Sequence, residues 1–189
     1  ALNISSEKKI VENEIIVLRS TALIQKIVKE LDLYTTIYNE GNVQTEELYG
    51  NNSPLNFIAL NKDSISGGGK YFFDINWQKK QVEINGQRIP FNGILRMGTT
   101  DYRIVINPQY NRNVSGKKFF AIFNSLAGAA GGIIGSLSIS PQSYNSTVLD
   151  LKIQTPVPEK GIAVLKKLFE IYNIEGIEDK NRISVGTLA

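Results

Sequence analysis

The chain has 189 residues, enough for one domain with a substantial core or two small ones, and its 42% apolar and 21% charged residues are those of a globular protein rather than a disordered one. It contains no Cys and no His, which excludes thiolate and imidazole metal sites, Ser-His-Asp triads and Cys-His dyads, and removes the usual general base near neutral pH. A net charge of +3 is too mild to argue for nucleic acid, and carboxylate, Lys or Tyr chemistry is what stays open to an enzyme.

The clearest helix is expected over residues 5–32. Ser5 or Ser6 suits its N-cap, with Glu7 in the first turn, where a carboxylate favours the helix dipole. Val11, Ile15, Leu18 and Ala22, then Ile24, Ile27, Val28 and Leu31, recur at three- and four-residue steps, with Lys and Glu between them. Such a helix would run about 40 Å. Its apolar stripe is expected to lie on a sheet; the rival is a coiled-coil seam with another chain.

Polar, turn-rich sequence follows Tyr34 up to Pro54, and Leu55 to Leu60 reads as a strand. Ser66-Gly67-Gly68-Gly69 is a flexible link without a phosphate-loop pattern behind it. From Lys70 to Asn107 the chain is β in character. Tyr71, Phe73, Ile75 and Trp77 alternate with the period of a half-buried strand. Val82-Glu83-Ile84 and Arg88-Ile89-Pro90-Phe91 flank Asn85-Gly86, a strong two-residue hairpin signal. Ile94 to Met97 and Tyr102 to Ile106 are two further strands, so a small antiparallel meander is expected here.

No charged residue occurs between Phe119 and Leu149. A run of about 20 apolar residues can cross a bilayer, and Gly128/Gly132 and Gly131/Gly135 are small-xxx-small pairs. The glycines, Asn124 and the serines dilute the run. A buried helix of about four turns is expected instead, with strand and turn at Ser138 to Pro141. Ser146 to Ile153 alternates as a strand, and Pro158 suits the first position of a helix. That helix is expected to bury Ile162, Leu165, Leu168, Phe169 and Tyr172 and to end between Asn173 and Gly176, with a further element opening at Ile183.

No catalytic, cofactor or metal motif is present: there is no GxxxxGK(S/T), GxGxxG or GxSxG. The acidic pairs Glu46/Glu47 and Glu178/Asp179 are expected to be solvated, and a carboxylate pair among Asp74, Glu83 and Asp101 has no positive feature behind it. One distribution stands out. Residues 70–118 hold nine basic and three acidic residues, a net +6 in a chain of +3, which leaves −3 for the remainder. Tyr71, Trp77, Tyr102 and Tyr110 are interleaved. The candidate contacts for a polyanion, lipid headgroups or an acidic glycan, are Lys79, Lys80, Arg88, Arg96, Arg103, Arg112, Lys117 and Lys118. The plainer reading is a solvated sheet face.

The stretch Glu14-Ile15-Ile16-Val17-Leu18-Arg19-Ser20, continued by Leu23, Ile27, Val28, Leu31 and Leu33, resembles the opening of the chain-length-determinant (Wzz-type) polysaccharide co-polymerases. Tyr34 and Tyr38, Glu47-Leu48-Tyr49-Gly50 and Ser53-Pro54 are closest to the branch that is coupled to a capsular or exopolysaccharide tyrosine kinase. A second match is Ser146, Leu149 and Leu151, then Pro158 and a helix with Leu165, Leu168 and Tyr172, followed by Glu178-Asp179-Lys180-Asn181. Gly161 stands where that family commonly has Ala, and Lys166 where it often has Asn.

The resemblance covers residues 1–60 and 136–189, which would form a base domain, with 61–135 as an inserted β-rich segment followed by the apolar Gly-rich helix. It implies an α+β fold: a mixed or antiparallel sheet with a long N-terminal helix, a C-terminal helix and an inserted meander. It implies a non-catalytic periplasmic domain of an inner-membrane protein that self-associates and controls the length or export of a polysaccharide. Both ends of this sequence are then expected to be cuts inside a longer protein, which carries the membrane spans and, in that branch, a cytoplasmic kinase. No cofactor is expected. The alternative is a periplasmic carbohydrate- or envelope-binding module resting on the basic segment.

Overall fold

The structure, a computed structural model, describes the backbone of residues 2–41, 43–110, 118–144 and 146–187, and within these the side chains from Lys9 to Ile177. Helix α1 spans Leu2–Leu18 and α2 spans Thr21–Glu30. The single helix expected over 5–32 is therefore two. At Ser20 the backbone is extended (φ −63°, ψ 138°), and its Oγ accepts from the Leu23 N–H at 3.3 Å. Ser20 satisfies an orphan donor of a new helix, which a hydrophobic repeat running across the junction conceals. Ser20→Ala is expected to cost about 1 kcal/mol, read as a lowered urea midpoint with an unchanged m-value.

α2 is the buried member of the pair. Leu23, Ile24, Ile27 and Val28 are buried, whereas Ile10, Ile16 and Val17 of α1 are exposed. α2 ends in a left-handed turn at Asp32 (φ 54°), with Leu33 N–H bonded to Val28 C=O at 2.9 Å. This is the Schellman closure, with Asp in the place usually held by Gly.

Among the described residues three antiparallel sheets follow. Strands β1 (Thr35–Glu40), β2 (Thr45–Leu48), β4 (Gly69–Asn76), β5 (Gln81–Ile84), β6 (Gln87–Pro90) and β9 (Lys118–Phe123) form a six-stranded sheet in the order β2-β1-β9-β4-β5-β6. β3 (Leu55–Ala59), β7 (Ile94–Met97) and β8 (Thr100–Ile106) form a second sheet, β3-β8-β7. β10 (Leu137–Pro141) and β11 (Leu149–Ile153) pair with each other. β1 and β2 lie in the stretch expected to be turn-rich.

The first two sheets face each other. Phe57 of β3 meets Phe73 and Phe123 of the larger sheet, with ring centroids 5.7 and 5.1 Å apart, and Tyr102 of β8 meets Phe123 at 5.0 Å. The expected meander survives only as β4-β5-β6. β7 and β8 cross to the other sheet, and β9 returns between β1 and β4. Residues 61–135 share sheets and core with residues 1–60. The hairpin at Asn85-Gly86 is as the sequence implies, both residues having positive φ (51° and 72°).

α3 (Leu126–Ser136) and α4 (Pro158–Thr187) complete the fold, both packed on α2. The apolar run from Phe119 is not one four-turn buried helix. It is β9, then α3 of 11 residues, then β10. Only Ala130 and Ile133 of α3 are buried. Among the described residues no helix is long and apolar enough to cross a membrane.

α4 opens on Pro158 as expected but runs 30 residues, past Gly176 and through Ile183. A lone glycine costs a helix about 1 kcal/mol relative to Ala and does not end it. Its buried face is Val164, Leu168 and Ile171; Ile162 and Phe169, expected inside, are exposed. Tyr34 joins the helices to the sheets: its OH donates to Asp32 Oδ1 at 2.6 Å and accepts from the Ala59 N–H at 2.8 Å.

Candidate functional site

Strand alternation decides where the candidate polyanion contacts point. On β8, Arg103 lies between buried Tyr102 and Ile104, so it projects from the outer face of the three-stranded sheet. Arg96 on β7 shares that face, its Nε 3.8 Å from Asp101 Oδ1. Arg88 on β6 projects from the outer face of the six-stranded sheet, on the opposite side of the sandwich, with its Nε 3.1 Å from Glu83 Oε2. Lys118 starts β9 opposite Glu40, and Lys79 and Lys80 sit in the β4–β5 turn. Arg112 and Lys117 lie outside the described residues. The described members therefore do not form one patch. Two face away from the rest, and two are engaged in exposed ion pairs, which hold about 1 kcal/mol or less each.

The carboxylates behave similarly. Asp74 and Glu83 oppose each other across β4 and β5 on an exposed face, while Asp101 is on the other sheet beside Arg96. The outer face of the larger sheet carries a row that the sequence did not reveal, because it is assembled from three strands. Tyr38 stacks on Phe120 with centroids 4.9 Å apart, Phe72 lies 5.6 Å further along, and Lys70 Nζ stands 3.7 Å over the Phe120 ring.

A largely buried charged pair lies elsewhere, where the first turn of α4 meets edge strand β2. Glu47 was expected to be solvated with Glu46. Glu46 is exposed, but the Glu47 side chain is only 9% exposed and lies 2.6 Å from Lys160 Nζ. A helix end laid over the strand is a long-range event and leaves no local mark at Glu47. The approach depends on Gly161, where a Cβ would stand 2.8 Å from Thr155 Cγ2 and 3.1 Å from Ile153 Cγ2. The close seat of α4 on β11 accounts for glycine at that position.

Two cavities adjoin the ion pair, both lined by Leu33, Thr36, Glu47 and Lys160. One of about 210 Å³ is bounded further by Asp32, Thr35, Tyr49 and Asn56. The other, about 300 Å³, is bounded by Asn124, Gly128, Gly132, Gln154 and Thr155. Burial, and then the Asp32 and Glu159 carboxylates, raise the Tyr49 phenol above its ordinary range. Burial, with Glu47 adding to it, does the same for Tyr38. Thr35 Oγ1 is buried without a hydrogen-bond partner in the first cavity's wall. Among the described residues no group of three or more acidic side chains is placed to hold a metal ion.

Such a site offers paired charges, hydroxyls and amides. Comparison with protein-family models and with curated proteins finds no match to this chain.

Proposed function

We propose that this chain is the periplasmic assembly domain of an inner-membrane polysaccharide co-polymerase, which acts by shaping a ring of subunits that sets the length or export of a capsular or exopolysaccharide. One observation carries the reading. The two sequence stretches bearing the resemblance, far apart in the chain, are joined along the length of α4. Glu47 binds Lys160 at 2.6 Å and Glu30 binds Lys167 at 3.3 Å, while Glu14 accepts from the Tyr172 hydroxyl and Glu175 from Lys26. Two stretches that act as one unit need to be neighbours, and these are in contact.

Membrane anchoring and any kinase activity belong, in this proposal, to parts of the parent outside this sequence. The mechanism is geometric, with other copies of the parent and the polymerase as partners. The alternative of a polyanion-binding module has less support, because its described cations are divided between two faces. Deleting residues 1–189 from the parent while keeping its membrane spans is expected to alter the length distribution or amount of surface polysaccharide. An unchanged polymer profile, with the truncated parent present in the membrane at normal level, overturns the proposal.

A further inference from the structure

The two cavities beside Glu47 and Lys160 have a chemistry that selects a ligand. Their charges are already balanced. Lys160 faces Glu47, and Asp32 is held by Lys62 at 2.6 Å and by the Tyr34 hydroxyl. A charged ligand would have to break one of these pairs and leave the other partner half-buried, a poor exchange. What remains on offer is donors and acceptors in mixed array. Thr35 contributes a buried hydroxyl without a partner, and Thr36, Asn56 and Tyr49 add hydroxyl and amide groups. Ile37, Leu48 and Ile58 supply an apolar flank, and the half-buried Tyr49 ring meets no other aromatic ring among the described residues. A ligand that is uncharged, rich in hydroxyls and apolar on one side fits that wall, and a volume of about 210 Å³ holds one pyranose ring.

We propose that the Tyr49 cavity binds one ring of a neutral glycan, and that the glycan chain passes the Glu47–Lys160 pair into the adjoining cavity at Asn124, Gln154 and Thr155. The choice of a glycan over another polyol rests on the co-polymerase reading above; the neutrality and size of the ligand rest on the cavity. The open face of α3 supports the second half of the path. Gly132 has no neighbouring atom within 4 Å of where a Cβ would be, so a sugar can approach the helix backbone there. Asn124 and Gln154 line this cavity and make no side-chain hydrogen bond within the described residues, so their carboxamides can serve hydroxyls.

The test is an amide NMR titration of the whole 189-residue chain. The probes are malto-, cello- and manno-oligosaccharides as neutral glycans and a hyaluronan oligosaccharide as the acidic comparator. A neutral probe is expected to shift the amides of Thr35, Thr36, Glu47, Tyr49 and Gln154. Tyr49→Ala is expected to weaken that binding about tenfold through loss of the ring face. Asn56→Ala, at an exposed position and so without risk to folding, should weaken it several-fold. The site is overturned if no neutral probe at millimolar concentration moves these amides. It is equally overturned if only hyaluronan acts, with shifts confined to Lys79, Lys80, Arg88 and Lys118, since that result identifies the polyanion module instead. The two proposals fail separately. A polymer altered by domain deletion but unaffected by Asn56→Ala and Tyr49→Ala in the parent removes the glycan site alone. Glycan binding with an unchanged polymer removes the co-polymerase reading alone.

Discussion

Phe123→Ala is expected to lower the stability of this domain by about 3–5 kcal/mol, as a cavity left by a large aromatic in a packed core does. Phe123 is 1% exposed and sits where the two sheets close on each other. Its ring lies 5.1 Å from Phe57, 5.0 Å from Tyr102 and 6.2 Å from Tyr71. These neighbours belong to β3, β8 and β4, so no single rearrangement of one strand can fill the space. The loss is a large part of the 5–15 kcal/mol that a domain of this size typically holds. The internal control is Phe72→Ala on the outer face of the same sheet. Phe72 is 52% exposed, and its truncation is expected to cost about 1 kcal/mol or less. Urea denaturation of both variants measures the difference. Equal losses would contradict the assignment of inner and outer faces. The 9% aromatic content of the sequence announces neither partner nor face; the closing of the sandwich on Phe123 does.

Which features the sequence disclosed follows from how local their causes are. The Asn85-Gly86 turn needs two residues with positive φ, and that demand is written in two adjacent letters. Pro158 opens α4 for an equally local reason, its ring being compatible only with the first turn of a helix. The strand at Tyr71 to Ile75 shows through its alternation. Ser20 is the instructive failure. Its capping role is local, yet the apolar repeat on either side continues across it and masks the break. β1 failed differently. Thr35, Thr36, Ile37 and Tyr38 are good strand formers, but the turn residues after them dominated the reading.

Tertiary facts were the least legible. A period of 3.6 shows that a helix has an apolar face, not which apolar residues meet a neighbour. On α4, Val164, Leu168 and Ile171 face inward while Ile162 and Phe169 stay outside. The pairing of β9 between β1 and β4 joins Thr35 to Phe123 on one side and Gly69 to Phe123 on the other, far apart in the chain, and has no local signature. The candidate site belongs to this class. Glu47 and Lys160 are 113 residues apart, and neither is unusual among the charged residues of the chain. The basic stretch from Lys70 to Lys118 was conspicuous in the sequence because it is contiguous there. Strand alternation then sends its residues to opposite faces, so a linear charge cluster became a dispersed one.

Alkaline pH is expected to unfold the domain cooperatively, with stability level up to about pH 10 and falling steeply above it. Burial is the leading cause that raises the phenols of Tyr34, Tyr38, Tyr49 and Tyr102. For Tyr172 the leading cause is its hydrogen bond to the Glu14 carboxylate, with burial second. All five shifts point the same way, so in each case the folded state holds its proton more tightly than the unfolded chain. Below about pH 10 both states keep these protons and the tyrosines add no pH dependence. Above it the unfolded chain ionises while the folded one does not, and folding stability declines as pH rises toward the folded values. Tyr34 and Tyr102 have no exposed surface, and each contributes a slope of up to about 1.4 kcal/mol per pH unit. The other three are partly exposed and contribute less, because solvent screens them. Lys167 shifts in the same sense through Glu170 and, with a smaller effect, Glu30, but salt screens that exposed pair and not the buried phenols. Urea midpoints between about pH 8 and 12, repeated at high salt, measure the slope, and tyrosinate absorbance reports ionisation. Midpoint and absorbance should change together, since Tyr34 cannot ionise while its OH donates to Asp32. Tyr34→Phe is expected to flatten the alkaline slope by about one proton. It also costs about 1–3 kcal/mol at neutral pH, because the Ala59 N–H loses its acceptor. Tyrosinate absorbance that rises fully while the midpoint stays level would show the rings ionising in place, and the buried hydroxyl linking α2 to β3 would then not be the constraint described for it.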